Sequence, residues 1–453
     1  MFIQQFFIPG IAQSSYLLGA ESTCAIIDPS RDVERYLDAA RDLNLAITHV
    51  FETHLHADFV SGHMELREAA NATIVAPASG HCAFEHVAVG DGSQFQVEEL
   101  RIDVLDTPGH TPDGVTYVVT DTSRGNDPVA AFTGDALFVG DVGQPDLFPG
   151  RAEELASHLY DSLHEKVLAL PDGCMVLPSH GAGSLCGRAM GAMRYSTIGY
   201  ERRFNAALQH ESREAFVASL TKDMPPAPDH FSRCSEINRQ GPALLRTLPG
   251  LRPMKPAEFR NEAARKETVV LTCRDYAAFG GIHVPGSFHV DFGMNFSTYA
   301  GWVVPHENEI LLVADSPAQA REAVVMLRRV GLDLVVGFLA GGTHAWATAG
   351  YPIDRVPQLS PAEVRTLLGD GALLVDVRFP DEFAEGHVEG AINIPAPDLR
   401  TRHPELPVDR PLVVMCRTGQ RSSLACSLLK RDGFDCVNNA AGGYTGYTAA
   451  GFS

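Results

Sequence analysis

Residues Phe51–His63 read FETHLHADFVSGH. His54, His56, Asp58 and His63 crowd around Phe59. All four polar side chains are potential metal ligands, so the stretch raises a direct question: two metals, one, or none. The preceding run, AITHVFE, is apolar enough for a strand, so the histidines begin where a strand ends. In α/β architectures, the loops at the carboxyl ends of strands build the sites.

Three further stretches carry the same chemistry: TPGHT (Thr107–Thr111), FTGDALF (Phe132–Phe138) and LPSHGAGSLCG (Leu177–Gly187). They add His110, Asp135, His180 and the thiol of Cys186. Each is a turn after a strand-like apolar run, and such turns converge on one edge of a sheet sandwich. A lone histidine is more often structural. Four ordered matches point to a metal centre.

The chain has 453 residues, enough for two to four domains. Its 36 basic and 56 acidic side chains give a net charge of −20. That excess disfavours nucleic acid and anionic membranes as partners, and an anionic substrate needs local arginines. The opening MFIQQFFIPGIAQSSYLLG reads as a first strand, without the basic region and small-residue cleavage site of a signal peptide. No apolar run reaches the length of a membrane span. Nine cysteines without CxxC spacing read as free thiols in a cytoplasmic protein.

Two proline-rich boundaries, LPGLRPMKP (Leu248–Pro256) and YPIDRVPQLSP (Tyr351–Pro361), divide the chain. The expected domains are residues 1–247, 248–355 and 356–453. The last two repeat one another. RDYAAFGGIHVPGSFHV in one matches RFPDEFAEGHVEGAINI in the other, EILLVAD matches PLVVMC, and FLAGGTHAWATAGYP matches NNAAGGYTGYTAAGF. Alternating apolar strands and helices predict parallel α/β domains for both.

The first block resembles the metallo-β-lactamase superfamily over nearly its whole length and in motif order, which implies an αββα sandwich. Hydrolases of this fold, such as hydroxyacylglutathione hydrolases, carry HxHxDH and hold two metals. Here Phe59 stands at the last histidine, and a phenyl ring cannot ligate. THLHADFVSG, TPGHTPDGVTY and FTGDALFVGDVGQPDLF resemble the persulfide dioxygenase branch more closely. That resemblance implies one Fe(II) per chain, held by His54, His110 and Asp135, with zinc as the alternative. Two imidazoles and a carboxylate on one face leave three positions open, as non-haem Fe(II) chemistry requires. His56, Asp58 and His180 are then expected to orient ligands and bound water. The bland reading gives His56 and Asp58 a weak second metal. His63 is expected on the helix surface or behind the ligands.

The branch usually has arginine where this chain has Gln144, a change expected to leave the three ligands untouched. Cys186 reads either as a small buried residue of a Gly-rich loop or as a catalytic thiol that holds a transferred sulfur. Related fusions also share STIGYERRFN (Ser196–Asn205), in which Arg202 and Arg203 either support an anionic substrate or are solvated helix charges.

VVMCRTGQRSSLA (Val413–Ala425) runs from a buried strand into an apolar helix. A cysteine opening such a loop meets inward-pointing N–H groups and a helix N-terminus, which favour an anion. Arg417 and Arg421 add positive charge, and together these groups stabilise a Cys416 thiolate or persulfide. The loop resembles the rhodanese active site, and the whole third block resembles that family. Cys-loop-Arg phosphatases share the architecture but space cysteine and arginine further apart. The second block reads LLVADSPAQAREA at the same place, with Ala314 and Asp315 in the region of the cysteine, so a pseudo-rhodanese is expected. Cys273 is expected on the early strand, where Asp376 stands in the third block, as a core thiol. Cys24, Cys82, Cys174, Cys234, Cys426 and Cys436 are expected to be packing residues.

The resemblances therefore imply an α/β chain: a metallo-β-lactamase αββα sandwich followed by two rhodanese-like domains, the first inactive. They imply oxidation of a small thiol persulfide by O2 to sulfite and thiol, joined to sulfur transfer through Cys416 that gives or uses thiosulfate. A homo-oligomer is expected. A dizinc thioesterase with rhodanese appendages and a non-enzymatic sulfur carrier are the rival readings.

Overall fold

The computed structural model describes residues 1–452 apart from 189, 223, 225, 226 and 294. The chain divides into two compact units, residues 1–247 with 328–331, and residues 248–327 with 332–453.

The first unit holds two six-stranded sheets. One runs in order through β1 (Phe2–Ile8), β2 (Gln13–Gly19), β3 (Thr23–Ile27), β4 (Ala46–Phe51), β5 (Thr73–Pro77) and β6 (Val87–Val89). The other comprises β7 (Gln94–Val97), β8 (Leu100–Asp106), β9 (Val115–Asp121), β10 (Ala130–Gly134), β11 (Met175–Pro178) and β12 (Ser196–Thr197), in order β12-β11-β10-β9-β8-β7.

Alternation along the strands decides the layers. In β2, Tyr16 and Leu18 enter a core shared with Ile102, Tyr117 and Phe132 of the other sheet, while Leu17 faces the opposite way. In β9, Tyr117 and Val119 join that central core, and Val118 joins a second one with Leu159, Ile198 and Phe216. Strands buried on both faces read as continuous apolar runs rather than as alternating ones. Helices Glu34–Asp42 and His63–Ala70 cover one outer face through Tyr36, Ala40 and Leu66. Helices Ala152–Asp161 and Arg213–Leu220 cover the other through Ala156, Leu159, Phe216 and Leu220. The layering is αββα, as expected.

The second unit contains two sheets of the same topology. β13 (Arg252–Met254), β14 (Thr268–Thr272), β15 (Phe288–His289), β16 (Glu309–Val313) and β17 (Val335–Leu339) form a parallel sheet in order β13-β17-β16-β14-β15. β18 (Gln358–Leu359), β19 (Leu373–Asp376), β20 (Ile392–Asn393), β21 (Leu412–Met415) and β22 (Val437–Ala440) repeat it as β18-β22-β21-β19-β20. The cores correspond too. Val270, Val284, Leu311, Val313 and Trp346 in one match Leu374, Val388, Val413, Met415 and Tyr447 in the other.

The pairing corrects one expectation. Thr272 lies opposite Val313 as Asp376 lies opposite Met415, so Thr272 is the counterpart of Asp376. Cys273 falls one residue beyond the strand, at the place of Val377, and is a fully buried core thiol. Cys436 is exposed and Cys82 half-buried, so neither is the packing residue expected. No described helix is long and apolar enough to cross a membrane.

Candidate metal centre and cysteine loop

Four strand ends of the first unit deliver the metal-type side chains. His54 follows β4, His110 lies between β8 and β9, Asp135 directly follows β10, and His180 follows β11. His54, His110 and Asp135 each offer a ligand atom within 4.8 Å of the others, and all three are buried. Asp135 Oδ2 lies 3.3 Å from His110 Nε2 and 3.8 Å from His54 Nε2.

Both imidazoles are aimed from behind. His110 Nδ1–H donates to the backbone carbonyl of Gln144 at 2.7 Å. His54 Nδ1 lies 3.0 Å from Thr53 Oγ1, which itself donates to Asp28 Oδ2 at 2.9 Å. Each ring therefore turns Nε2 toward the centre, the arrangement that fixes the tautomer of a metal-bound histidine. Residue 144 thus orients His110 through its backbone carbonyl, a contact that does not depend on the Gln144 side chain.

Two glycines make the approach possible. Gly134 has φ +53°, and a Cβ there would lie 2.7 Å from Thr53 Oγ1. A Cβ on Gly143 would lie 2.0 Å from the Asp135 carbonyl and 2.7 Å from His110 Cβ. Any side chain at either position would push the ligands apart.

His180 and Asp58 stand behind Asp135. His180 Nδ1 contacts both Asp135 oxygens at 2.8 and 3.0 Å, and its Nε2 lies 2.8 Å from Asp58 Oδ2. Burial alone would raise the Asp135 pKa, but His180, His54 and His110 together hold it far below the usual carboxylate range. Burial and the neighbouring His56 push His54 down to about 3, so it is a neutral imidazole with a lone pair to give.

His56 turns away from the three candidate ligands, toward Asp28 and Glu52. Its Nε2 lies 3.1 Å from Asp28 Oδ1 and 3.5 Å from Glu52 Oε2, and its ring packs on Phe59 with centroids 4.3 Å apart. His63 is buried, 3.1 Å from Glu52 through Nδ1, so it is not a surface helix residue. Cys186 is buried with Asp58 and His180, and its pKa is raised by burial and by the carboxylates Asp58 and Asp135. Arg202 is tied to Asp172 and the Leu170 carbonyl, and Arg203 is exposed. Arg202 is therefore a structural clamp rather than a substrate arginine. Asp28, Glu52 and Thr53 are the participants that sequence reasoning missed. The signal available was the IIDPS turn, an aspartate directly after an apolar strand.

In the second unit, Cys416 follows β21 and is buried. Its sulfur accepts from the Gly419 N–H at 3.1 Å and from Ser422 Oγ at 3.3 Å. Arg421 is largely buried and donates to both Glu382 oxygens at 2.5 and 2.7 Å, whereas the Arg417 side chain is 62% exposed. At the matching place in the preceding repeat, Ala314 occupies the cysteine position, and Asp315 pairs with Arg274 at 2.6 Å. Arg274 thereby compensates the charge of Asp315.

Comparison with known proteins gives the same division. The metallo-beta-lactamase superfamily model matches residues 8–180, and the rhodanese-like domain model matches residues 255–349 and 360–450. The mitochondrial persulfide dioxygenase ETHE1 of Bos taurus is 33% identical over 234 residues, covering 51% of this chain and 84% of that protein. A hydroxyacylglutathione hydrolase of Rhodospirillum rubrum is 33% identical over 169 residues, covering 36% of this chain and 60% of that one. Among solved structures, a metallo-beta-lactamase from Staphylococcus aureus subsp. aureus COL superposes with TM-score 0.68 at 31% identity, covering 75% of this chain and 98% of that chain.

Proposed function

Because the chain belongs to the metallo-β-lactamase superfamily, with persulfide dioxygenases among its relatives, and carries two rhodanese-like domains, we propose that it is an iron-dependent persulfide dioxygenase joined to a sulfurtransferase. The observation that carries this reading is the buried set of two imidazoles and one carboxylate, with Phe59 replacing a second-site donor. His54, His110 and Asp135 would hold one Fe(II), the donor set that suits that ion. When bound, the ion supplies open coordination positions and electrons for O2 chemistry.

The chain's own groups do the rest. The Gln144 carbonyl and the Asp28–Thr53 pair keep both Nε2 atoms directed inward. His180 holds Asp135 in one orientation. The overall reaction is a thiol persulfide plus O2 and water giving the thiol, sulfite and two protons. In the second unit, a Cys416 thiolate attacks the outer sulfur of thiosulfate. The Cys416 S–S bond forms, the S–S bond of thiosulfate breaks, and sulfite leaves with the electron pair. Run backward, sulfite takes the sulfur from a Cys416 persulfide and gives thiosulfate, which consumes the product of the first site. Joining both activities in one chain raises their mutual concentration to roughly millimolar where the linker allows encounter. The nine free cysteines suit a reducing cytoplasm.

The dizinc thioesterase reading keeps one specific support. Asp58, His180 and Cys186 bring three donor atoms within 4.8 Å of one another. The deciding experiment measures metal content of protein purified without added metal, together with oxygen uptake on glutathione and coenzyme A persulfides. One iron with persulfide-dependent uptake supports the dioxygenase. Two zincs with thioester hydrolysis and no uptake overturn it.

A further inference from the structure

Residues 328–331 belong to the first unit, although the chain on either side of them lies in the second. Three successive carbonyls of that segment are taken there. The Arg328 carbonyl accepts from Arg31 Nη1 at 3.1 Å, the Arg329 carbonyl from the Val60 N–H at 2.6 Å, and the Val330 carbonyl from Arg233 Nη2 at 2.8 Å. Arg329 also forks through Nε and Nη2 onto the two oxygens of Asp32, at 2.8 and 2.7 Å and 297 residues away in sequence. Val60 follows Phe59 in the motif loop and is fully buried, so its N–H requires an acceptor. The turn that carries Asp32 is fastened to the same loop, because the Pro29 carbonyl accepts from the Gly62 N–H at 2.9 Å and from Ser61 Oγ at 3.1 Å.

We propose that Arg329 is a positioning residue of the metal centre: its carbonyl and its guanidinium clamp the Asp58–Ser61 loop to the Asp32 turn, and metal retention depends on that clamp. The proposal rests on the metal-centre reading of His54, His110 and Asp135. The path from the clamp to the ligands is short. Asp58 stands two residues before Val60, its Oδ2 lies 2.8 Å from His180 Nε2, and His180 Nδ1 lies 2.8 Å from Asp135 Oδ1. A slack loop draws Asp58 off His180, and His180 then no longer fixes the rotation of Asp135. The fork is built to hold. The side chains of Arg329 and Asp32 are only 13% and 16% exposed, and two parallel N–H···O bonds fix their mutual angle as well as their distance. Burial alone would raise the Asp32 pKa, but Arg329 and Arg35 hold it below the usual carboxylate range, so the pair is charged. Loss of the guanidinium leaves that carboxylate short of its main partner in a largely dry site, and the turn must move to rehydrate it.

The test is Arg329→Ala in the full-length protein, with Arg329→Lys as a milder variant that keeps the charge and loses the fork. Metal retention is measured by chelator competition on protein as purified. Hydrogen–deuterium exchange of the peptide spanning residues 58–62 is followed in parallel, a readout that needs neither metal nor turnover. The expected result is retention weakened about 10-fold in Arg329→Ala, the lower end of the range for groups that orient ligands from behind, and about threefold in Arg329→Lys. Exchange at Val60 should be faster in both, and excess Fe(II) should restore oxygen uptake. Wild-type retention in Arg329→Ala overturns the proposal. Should Arg329→Ala fail to fold, Arg329→Lys decides, and wild-type retention with wild-type exchange at Val60 there overturns it equally. The two failures are separable. A wild-type protein that holds no metal overturns the metal-centre reading and the clamp with it, whereas a metal-holding wild type matched by the variants overturns only the role of Arg329.

Discussion

His180 bridges two carboxylates: its Nδ1 lies 2.8 Å from Asp135 Oδ1, and its Nε2 lies 2.8 Å from Asp58 Oδ2. Burial works against a charged ring, but Asp135 and Asp58 raise its pKa well above the ordinary histidine value. The bridge is a charge-assisted pair that locks the Asp135 carboxylate in one rotation. His180→Ala should therefore weaken metal retention by about 10- to 100-fold, the range for groups that orient a ligand. Chelator competition on the intact protein measures this, and excess Fe(II) should restore oxygen uptake. His110→Ala, which removes a ligand outright, should not be restored. Equal metal retention in His180→Ala and wild type would contradict the role of the bridge.

On the one-metal reading, Phe59 takes the place of a second metal's imidazole, and it is fully buried against His56 and 6.2 Å from the His180 ring. Phe59→His should add a donor beside Asp58 and His180. Metal content of protein grown with zinc should rise above one per chain, and persulfide-dependent oxygen uptake should fall. Burying the imidazole should cost roughly 1–3 kcal/mol of stability in the metal-free form. Elemental analysis decides the matter, and a content still at one would mean that the phenyl ring does not limit the site.

The Cys416 sulfur accepts two hydrogen bonds, from Gly419 N–H and Ser422 Oγ. Ser422→Ala removes one and should slow thiosulfate sulfur transfer about fivefold, the worth of roughly 1 kcal/mol. Cys416→Ser should abolish transfer while leaving persulfide-dependent oxygen uptake intact. Transfer at the wild-type rate in Cys416→Ser would point to another thiol, such as Cys186.

Much of this was legible because the site grows from short motifs at strand ends. THLHAD, TPGHT and FTGDALF each place one candidate ligand in the first residues after a strand or in the turn between two, so order along the chain translates directly into convergence. The repeat was legible because both copies keep the same apolar core positions. What escaped were groups acting through the backbone or across long stretches of sequence. The Gln144 carbonyl orients His110 whatever side chain the residue carries. Asp28 reaches His54 through Thr53, and only the short IIDPS turn pointed to it. Arg202 looked available for an anion, but its partners, Asp172 and the Leu170 carbonyl, lie 30 or more residues earlier.

His289 offers a pH signature of the packing between the two rhodanese-like repeats. Its Nδ1 accepts from Ser423 Oγ at 3.0 Å, its Nε2–H donates to the Arg274 carbonyl at 3.0 Å, and its backbone N–H donates to Ser427 Oγ at 3.0 Å. Burial holds its pKa down at about 3. In the unfolded chain the same ring takes a proton near 6.5. Between those values the unfolded state binds one more proton than the folded one, so acid favours unfolding. The contribution is complete above about pH 6.5 and declines by about 1.4 kcal/mol per pH unit below it, or about 2 kcal/mol by pH 5. Both tryptophans, Trp302 and Trp346, belong to the second unit, so their fluorescence follows its unfolding. Urea titrations at pH 7, 6 and 5 should show the midpoint falling as pH drops. His289→Asn, which cannot titrate, should be less stable at pH 7 and should lose about 1 kcal/mol per pH unit of that slope between pH 6 and 5. His283, also held low by burial, leaves a residual slope. A variant whose slope matches wild type would place the acid sensitivity elsewhere in the unit.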